Sequence, residues 1–497
     1  MKPGLVFLSM ILFVSNAFAA DLSSTRENLE LTVYNQDFAL VKENRFVELQ
    51  KGINAVRLRD VAAQIDPTSV RVQSLDDPEG LTVLEQNYVF DLVNYGKLLE
   101  KYVGKEIEFQ EVVDTKTGEI RVKKAKLLST GYFVQANPYG SRGYQYQSYG
   151  QPVYEMEGKI YSSIPGNIVF PASGEELVLT PALDWQLKSS RDGQQKIEMA
   201  YITDGIKWNA DYILVLDSKD THVDMNGWVT LDNRSGVSYP EAKLKLMAGE
   251  VRVLSAYGAD GRMAAKAQDY VADLSGSAQF REAGFFEYHL YTLQRPTTIQ
   301  NNEIKQVEFT RAANVPVNKL YVYEGFQGDY GYEASYIYPD FGKEGLKKVN
   351  VWVEFKNSKE NHLGIPLPKG RARFYKQDDD NGQEFIGEDN LDHTPKDELV
   401  RFYIGNAFDL VGERKQLDYK VMQPEHLTEE TFEITLRNHK EEDVTILVKE
   451  RLYRGKQWEI VTASQDFQKK DVQLMETQVS VPKNGEKKVT YTVRYHW

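Results

Sequence analysis

An acidic turn in the second half of the chain has the residue types of a calcium-binding loop. Residues 377–382 (QDDDNG) end in the glycine that such a loop needs for its sharp turn. Aligned on Gly382, Asp379, Asn381 and Glu388 take the third, fifth and twelfth ligand positions. However, Gln377 stands where the first aspartate belongs, and the flanks alternate like strands. We therefore favour a β-hairpin turn at Asn381-Gly382 without a metal, and keep Asp379, Asn381 and Glu388 as the alternative ligand set.

None of the seven histidines has a partner at a zinc-binding helical spacing, and no His-Glu-x-x-His run occurs. His289 is predicted to be a strand residue whose ring hydrogen-bonds a neighbour, and His393, before Thr394-Pro395, is predicted to shape a turn. The full set is His222, His289, His362, His393, His426, His439 and His496.

Motifs for nucleophilic or phosphate chemistry are missing from the sequence. There is no Gly-x-Ser-x-Gly elbow, and the glycines at 325–331 lack the lysine of a phosphate-binding loop. Without cysteine the chain has no thiol nucleophile. Carboxylate pairs for glycoside chemistry are defined by their spacing in three dimensions, so they stay open. We assign no catalytic residue and no cofactor from the sequence.

Tyrosine, with 30 copies, is concentrated in two stretches. Exposed tyrosines give a large contact area at low entropy cost, which suits the binding of proteins or glycans. Tyrosine is also an ordinary strand residue with its hydroxyl at the surface, and that alternative stays open. The candidate ligand-binding residues are Tyr139, Tyr144, Tyr146 and Tyr149 in a Gly-, Gln- and Ser-rich loop at 137–151, and Tyr330 and Tyr332 in the second stretch.

Alternation of apolar and polar residues predicts that strands position these side chains. Residues 242–246 and 432–437 alternate strictly, and 212–216 is apolar on both faces, as in a strand inside a core. One short helix is predicted over 91–102, with Gly104 after its end. We expect a mainly β protein of several antiparallel β-sandwich or small-barrel domains with few short helices.

Composition shifts divide the chain into predicted units. After residues 1–20 we expect an N-terminal β domain at 21–200, with a small-barrel module inserted at about 97–170. A central β-sandwich domain takes 201–255 and 284–423, separated by an Ala-, Gly- and Ser-rich flexible linker at 256–283. The last unit, 424–497, is expected to be immunoglobulin-like.

The final strand permits a second interpretation. Alternate residues from Val489 to Trp497 are apolar or aromatic, which resembles the closing strand of an outer-membrane β-barrel. The preceding strand at 444–452 carries three successive charges at 449–451, and such charges on both faces are costly against lipid. We favour the sandwich.

The first residues have the order of a secretory signal peptide: Lys2, an apolar stretch at 5–14, then small residues up to Ala19 and Ala20. We expect cleavage after Ala19 or Ala20. An uncleaved anchor is the alternative, although the stretch of about ten apolar residues is about half the length of a membrane-spanning helix. The absence of cysteine excludes a lipid anchor and disulfides. No later run predicts a transmembrane helix, so we expect an exported protein of the periplasm or cell surface.

Several segments carry a family resemblance. They are WNADY at 208–212, GWVTLDNRSG at 227–236, MAGEV at 247–251, EYHLY at 287–291, GED at 387–389 followed by HTP at 393–395, and GNAFDLVG at 405–412. In this order they resemble the bacterial family named domain of unknown function 4139. The resemblance spans most of the chain after residue 20. It implies an exported, predominantly β protein, and it supplies no catalytic residue.

With 60 basic and 73 acidic side chains the net charge is −13, so we expect no nucleic-acid partner, because phosphate binding needs a basic surface. The leading hypothesis is a non-enzymatic binding or scaffold protein of the cell envelope that recognises a protein or a polysaccharide. One alternative is an envelope hydrolase whose carboxylate and histidine residues meet only in the fold. The other is a protein associated with an outer-membrane β-barrel.

Overall fold

The computed structural model describes residues 20–21, 26–90, 92–135, 145–148, 150–172, 177–252, 279–326, 339, 345–378, 380, 382–423, 427–455 and 457–496. Strands dominate these ranges, and the predicted mainly β class is confirmed. The predicted signal peptide lies outside the described residues, apart from the backbone of Ala20. Among the residues that the structure describes, none forms a helix with the length and apolar content needed to cross a bilayer.

The N-terminal part contains two layers of strands and a small inserted module. Its elements are β1 (Ala20–Asp21), β2 (Glu27–Tyr34), β3 (Phe38–Leu49), β4 (Gly52–Arg59), a 3-10 turn (Pro67–Ser69), β5 (Arg71–Ser74), β6 (Leu81–Val89), α1 (Tyr95–Tyr102), β7 (Glu106–Asp114), β8 (Glu119–Ser129), β9 (Tyr132–Gln135), β10 (Gln145–Ser148), β11 (Val153–Met156), β12 (Lys159–Tyr161) and β13 (Asn167–Val169).

The small module lies between β6 and the next strand of the same sheet. Strands β12, β11, β8, β7 and β13 form its five-stranded sheet, and β9 pairs with β10. Leu99 and Tyr102 of α1 pack with Ile107 and Phe109 in a separate small core. The helix begins at Tyr95, later than the predicted 91, because Asn94 takes the N-cap position and its side-chain oxygen accepts the Lys97 N–H at 3.0 Å.

The middle of the chain completes the main sandwich. Its elements are β14 (Ala182–Ser189), β15 (Gly193–Asp204), β16 (Ile206–Leu216), β17 (His222–Asn233), β18 (Tyr239–Ala248), β19 (Phe280–Phe285), β20 (Tyr288–Leu293), β21 (Thr297–Ile299), β22 (Glu303–Pro316), β23 (Asn318–Glu324), β24 (Lys348–Lys356), a 3-10 turn (Lys359–Asn361), β25 (Gly370–Gln377), β26 (Gln383–Leu391) and β27 (Leu399–Gln423).

Three sheets provide most of the largest core, which contains residues from Leu29 to Phe402. Their strand orders are β1-β4-β14-β6, β19-β20-β18-β2-β3-β15-β5 with β21 beside β18, and β22-β17-β16-β25-β26. β15 crosses residue 200, and β2 pairs in parallel with β18, so these sheets are shared across the predicted boundary at residue 200. Alternation identifies a strand but not its neighbour, and that is why the sequence did not predict this sharing.

The predicted linker at 256–283 ends earlier than expected. β19 begins at Phe280, whose side chain is buried, and it pairs with β20 along its whole length. Pairing with β20 stabilises residues 280–285 as a strand, although the Ala-, Gly- and Ser-rich composition of the stretch before them predicted a linker. The linker residues at 256–278 lie outside the described residues.

The C-terminal strands belong to a nine-stranded sheet of order β30-β33-β28-β27-β24-β23-β29-β32-β31. This sheet includes β23, β24 and β27, which precede residue 424, so it is larger than the predicted unit at 424–497. The immunoglobulin-like classification stays a prediction. Its last elements are β28 (Leu427–Asn438), β29 (Val444–Arg451), β30 (Gln457–Ala463), β31 (Gln468–Asp471), β32 (Leu474–Val481) and β33 (Gly485–His496).

Two strands contribute to both large cores. β24 places Val349 in the C-terminal core and Phe355 in the main core. β27 does the same with Leu410 and Phe402. The two cores are therefore joined by continuous strands.

Candidate functional site

The acidic turn closes a hairpin between β25 and β26. Asp378 holds it, because its Oδ1 accepts the Gly382 N–H at 2.6 Å. Glu388 lies further along β26, where its carboxylate is 3.5 Å from Arg373. Asp379 and Asn381 lie outside the described residues, so the proposed ligand set stays a prediction.

The tyrosine candidates are only partly placed. Tyr139, Tyr144, Tyr149, Tyr330 and Tyr332 lie outside the described residues. Tyr146 belongs to β10, but its side chain is outside the description as well. Their role in binding stays a prediction.

Buried aromatic side chains in the family segments hold backbone loops in place. Each donates a hydrogen bond to a main-chain carbonyl: Trp208 Nε1 to Met247 at 3.2 Å, Tyr212 to Pro368 at 2.7 Å, and Tyr291 to Pro366 at 2.9 Å. A buried aromatic with a satisfied polar end fixes both packing and direction. These residues position the end of β18 and the loop before β25.

A histidine and a carboxylate meet at the edge hairpin of β19 and β20. His289 Nδ1 lies 2.8 Å from Glu282 Oε1. The Glu282 side chain is 14% exposed and the His289 ring 43% exposed. With the Nδ1 proton held by the carboxylate, Nε2 is the basic ring nitrogen. Glu282 falls within the predicted linker, so the sequence analysis missed this pairing. A prediction that 280–285 forms a strand paired with 288–293 would have placed Glu282 near His289.

His393 lies near this pair in the opposite tautomer. Its Nδ1 accepts the backbone N–H of Lys369 at 3.2 Å, so its Nε2 carries the proton. Burial lowers the pKa of His393, the charges of Lys369 and His289 lower it further, and Glu250 opposes the shift. The ring is therefore neutral at pH 7. We call Glu250, Glu282, His289, Lys369 and His393 the histidine cluster.

The histidine cluster combines a basic nitrogen with a neutral N–H donor. General acid–base chemistry uses these two groups. Across the described ranges, no group of three or more His, Asp or Glu side chains comes together in a way that could hold a metal ion.

A second feature is the irregular middle of β27. Lys348 and Asn350 are two residues apart on β24, but their partners on β27, Val411 and Asn406, are five apart. The extra residues of β27 form a bulge that projects Phe408 into solvent, with 97% of the residue exposed. β-bulges re-aim side chains and occur next to functional sites.

An aromatic pair lies beside this bulge. Trp352 and Tyr403 are cross-strand partners, their ring centroids are 5.4 Å apart, and both are half-buried. The Tyr403 hydroxyl donates to Asn406 Oδ1 at 3.2 Å. We call Trp352, Tyr403, Phe408, Asn350 and Asn406 the aromatic surface.

The GED segment supports the aromatic surface from β26. Asp389 Oδ2 accepts the Tyr403 N–H at 2.7 Å. A Cβ at Gly387 would lie 2.4 Å from the carbonyl oxygen of Ile404, so only glycine allows this approach. The GED segment therefore contacts the residues that immediately precede the family segment at 405–412.

Two ion pairs are fully buried in the C-terminal core. Arg414 Nε lies 2.8 Å from Glu450 Oε2, the Tyr491 hydroxyl donates to the same carboxylate, and the guanidinium lies 3.6 Å above the Phe432 ring. Burial opposes the charge, but Glu450 keeps the pKa of Arg414 well above its ordinary value. The second pair is Arg454 with Glu430, at 2.8 Å. All four side chains are 0% exposed, so these pairs belong to the packing of the core.

A cavity of about 550 Å³ lies where Arg26 meets the 236–240 turn. The Arg26 side chain is held by contacts within the protein. Its Nε is 3.2 Å from Glu43 Oε2, and its Nη1 donates a hydrogen bond to the Ser238 carbonyl at 3.1 Å. The lining residues are Arg26, Asp60, Gly236, Val237, Ser238, Pro240 and Asn301.

Comparison with known families gives one match. A family model described as Domain of unknown function (DUF4139) matches residues 197–497, more than half of the chain. The match contains both the histidine cluster and the aromatic surface. No curated protein matches the chain.

Proposed function

Because this chain belongs to the family described as Domain of unknown function (DUF4139), which assigns no activity, we propose its role from its own surface. It is an exported protein of the cell envelope, in the periplasm or at the cell surface, that binds a protein or a polysaccharide as a scaffold. The proposed export depends on the signal-peptide pattern at residues 1–20.

The observation that carries this proposal is the exposure of Phe408. An aromatic side chain that is 97% exposed gains from being covered by a partner. Its backbone is anchored after the ring by two hydrogen bonds, His439 N–H to the Asp409 carbonyl at 2.8 Å and Gly412 N–H to the Lys347 carbonyl at 3.0 Å, and before the ring by the pairing of Asn406 with Asn350. The ring is thus held ready for contact without a loss of backbone freedom on binding.

Capture of envelope components tests the proposal. The purified chain is immobilised and incubated with envelope extract, beside Phe408→Ala and the control Phe90→Ala, in which a ring 66% exposed is removed from a distant surface. We expect Phe408→Ala to retain less than a tenth of the captured material and Phe90→Ala to retain all of it. Equal capture by Phe408→Ala and the unchanged chain would refute the role of this surface.

The tyrosine-rich loop at 137–151 is a second proposed contact, from its composition alone. Deleting 137–151 is expected to weaken capture of the same partners. If the deletion variant captures them equally well, the loop has no part in recognition.

The contact between Glu282 and His289 favours one other function, an envelope hydrolase. In ester hydrolysis His289 Nε2 would take a proton from water while the water oxygen bonds to the acyl carbon, and the same proton would pass to the departing alcohol as the C–O bond breaks. The Nε2–H of His393 would donate to the developing oxyanion.

Hydrolysis of 4-nitrophenyl acetate tests this second candidate. We expect His289→Ala to abolish turnover and Glu282→Gln to lower it, while His222→Ala leaves it unchanged. His222 is a matched control, because its ring is also about two fifths exposed and 3.6 Å from a carboxylate, Asp217. Turnover that survives in His289→Ala would remove the cluster from consideration.

A further inference from the structure

We infer that the aromatic surface binds a neutral polysaccharide, an inference that rests on the proposed binding function and names its ligand class. Three cross-strand pairs lie on this face of β24 and β27: Asn350 with Asn406 and Trp352 with Tyr403, which belong to the aromatic surface, and next to them Glu354 with Arg401. Alternate residues of a strand are about 6.6 Å apart, so the three pairs form a strip about 13 Å long. A strip of this length accepts consecutive sugar rings.

The aromatic pair provides the stacking faces. A sugar presents C–H groups with partial positive charge, and the face of an aromatic ring is negative. The Trp352 and Tyr403 rings meet at 52°, so they form an angled platform instead of one closed stack. Both rings are half-buried, which fixes their orientation before a ligand arrives and lowers the entropy cost of binding.

The neighbouring side chains match hydroxyl groups, which both donate and accept hydrogen bonds. Asn406 Oδ1 accepts a hydrogen bond from the Tyr403 hydroxyl at 3.2 Å, which leaves the amide nitrogen of Asn406 to donate to a ligand oxygen. At the other end, Glu354 accepts from Arg401 Nε at 2.8 Å and from Asn318 Nδ2 at 3.0 Å. Polar groups thus flank the rings on both sides along the strip.

Charge and apolar area select the ligand class. The net charge of −13 repels a polyanion at long range, which favours a neutral polymer. A protein interface has a central cluster of apolar anchors, whereas here the exposed apolar side chains of Phe408 and Leu399 lie at opposite ends of the strip and the two central rings lie half-buried among amides and charges. Phe408 at the end of the strip would cover one further sugar.

The test uses the envelope extract itself as the source of ligand, in four portions. One is untreated, one is digested with proteinase K, one is oxidised with periodate, which destroys sugar rings, and one is the acidic fraction retained on an anion exchanger. We expect the untreated and proteinase-treated portions to bind equally and the periodate-treated and acidic portions not to bind. Binding that disappears with proteinase and survives periodate would identify a protein ligand and overturn the inference while leaving the binding function intact.

Variants then assign the binding to the rings. Trp352→Leu keeps an apolar body against the sheet and removes the ring face, so we expect at least about a tenfold loss of affinity for the proteinase-treated extract, with an unchanged Tm. Trp352→Phe is expected to recover part of the affinity. Trp352→Leu with full affinity overturns the inference. If no portion of the extract binds even the unchanged chain, the proposed function itself fails.

Discussion

Replacing Glu450 by leucine removes one partner of a fully buried ion pair. Arg414 stays in place with 0% of its side chain exposed, and it keeps its charge because the ordinary pKa of a guanidinium lies far above neutral pH. An uncompensated buried charge of this kind destabilises a protein by about 3–5 kcal/mol. We expect Glu450→Leu to lower the free energy of unfolding of the C-terminal core by that amount.

The double variant Arg414→Met/Glu450→Leu distinguishes two costs: the loss of the attraction between Arg414 and Glu450, and the burial of a charged Arg414 without Glu450. Replacing both partners by apolar side chains removes the charge of this pair from the core, and such exchanges are often neutral. Arg414 is covered by Phe432 and Tyr491, so methionine keeps an apolar body in contact with both rings. We expect the double variant to be at least about 2 kcal/mol more stable than Glu450→Leu.

Urea unfolding followed by near-ultraviolet circular dichroism measures these differences, because buried aromatic rings such as Tyr491 and Tyr495 of this core give a signal there that is lost on unfolding. The control is Glu100→Gln, which breaks a pair with Lys97 whose side chains are 36% and 27% exposed. An exposed pair contributes less than about 1 kcal/mol, so the control is expected to unfold like the unchanged chain. If the single and double variants lose the same stability, the stranded charge is not the cause and the reasoning is refuted.

The remaining predictions concern pH and packing. Burial raises the pKa of Asp220, but hydrogen bonds and attraction from Lys319 and Lys376 lower it by more, so the net shift is downward. The contribution of Asp220 to stability is therefore present above about pH 4 and is lost as the pH falls further. Asp220→Asn should make the stability less dependent on pH in this range, as measured by urea titrations. Because the pKa of His393 is lowered in the folded state, the folded state binds fewer protons than the unfolded state, and stability should fall below about pH 6.5. The fall should be smaller in His393→Gln. NMR should show the His393 ring taking up its proton at a lower pH than a histidine of the unfolded chain. Gly412→Ala places a Cβ 2.1 Å from the Tyr323 ring, and should lower the free energy of unfolding by about 1–3 kcal/mol in a thermal melt.

Strand positions could be predicted from the sequence because alternation is a local property. Residues 242–246 lie in β18, and 432–437 lie in β28. Residues 212–216 lie in β16, where every second side chain is buried and those between are half-buried. The mainly β fold class could be predicted from these patterns. The neighbour of each strand could not, since β16, for example, pairs in parallel with β25, more than 150 residues away.

The charges at 449–451 show what a sequence pattern leaves out. The strand does carry charge on both faces, but the pattern does not show that Glu450 is 1% exposed and faces Arg414 inside the core. A buried charge needs its partner, and that partner belongs to another strand, β27. The candidate functional residues also depend on which strands pair and in which register. A bulge in the pairing of β24 and β27 projects Phe408, and the hairpin of β19 and β20 brings Glu282 to His289.

β27 has consequences for how the molecule bears load. It runs for 25 residues, or about 80 Å of extended chain, and takes part in both large cores. Tension applied to a partner at the aromatic surface would pass along β27 to its neighbours β24 and β28, and so into two packed cores at once. Since many ladder hydrogen bonds would then have to break together, we expect this strand to resist such tension, which suits the proposed binding of a polymer.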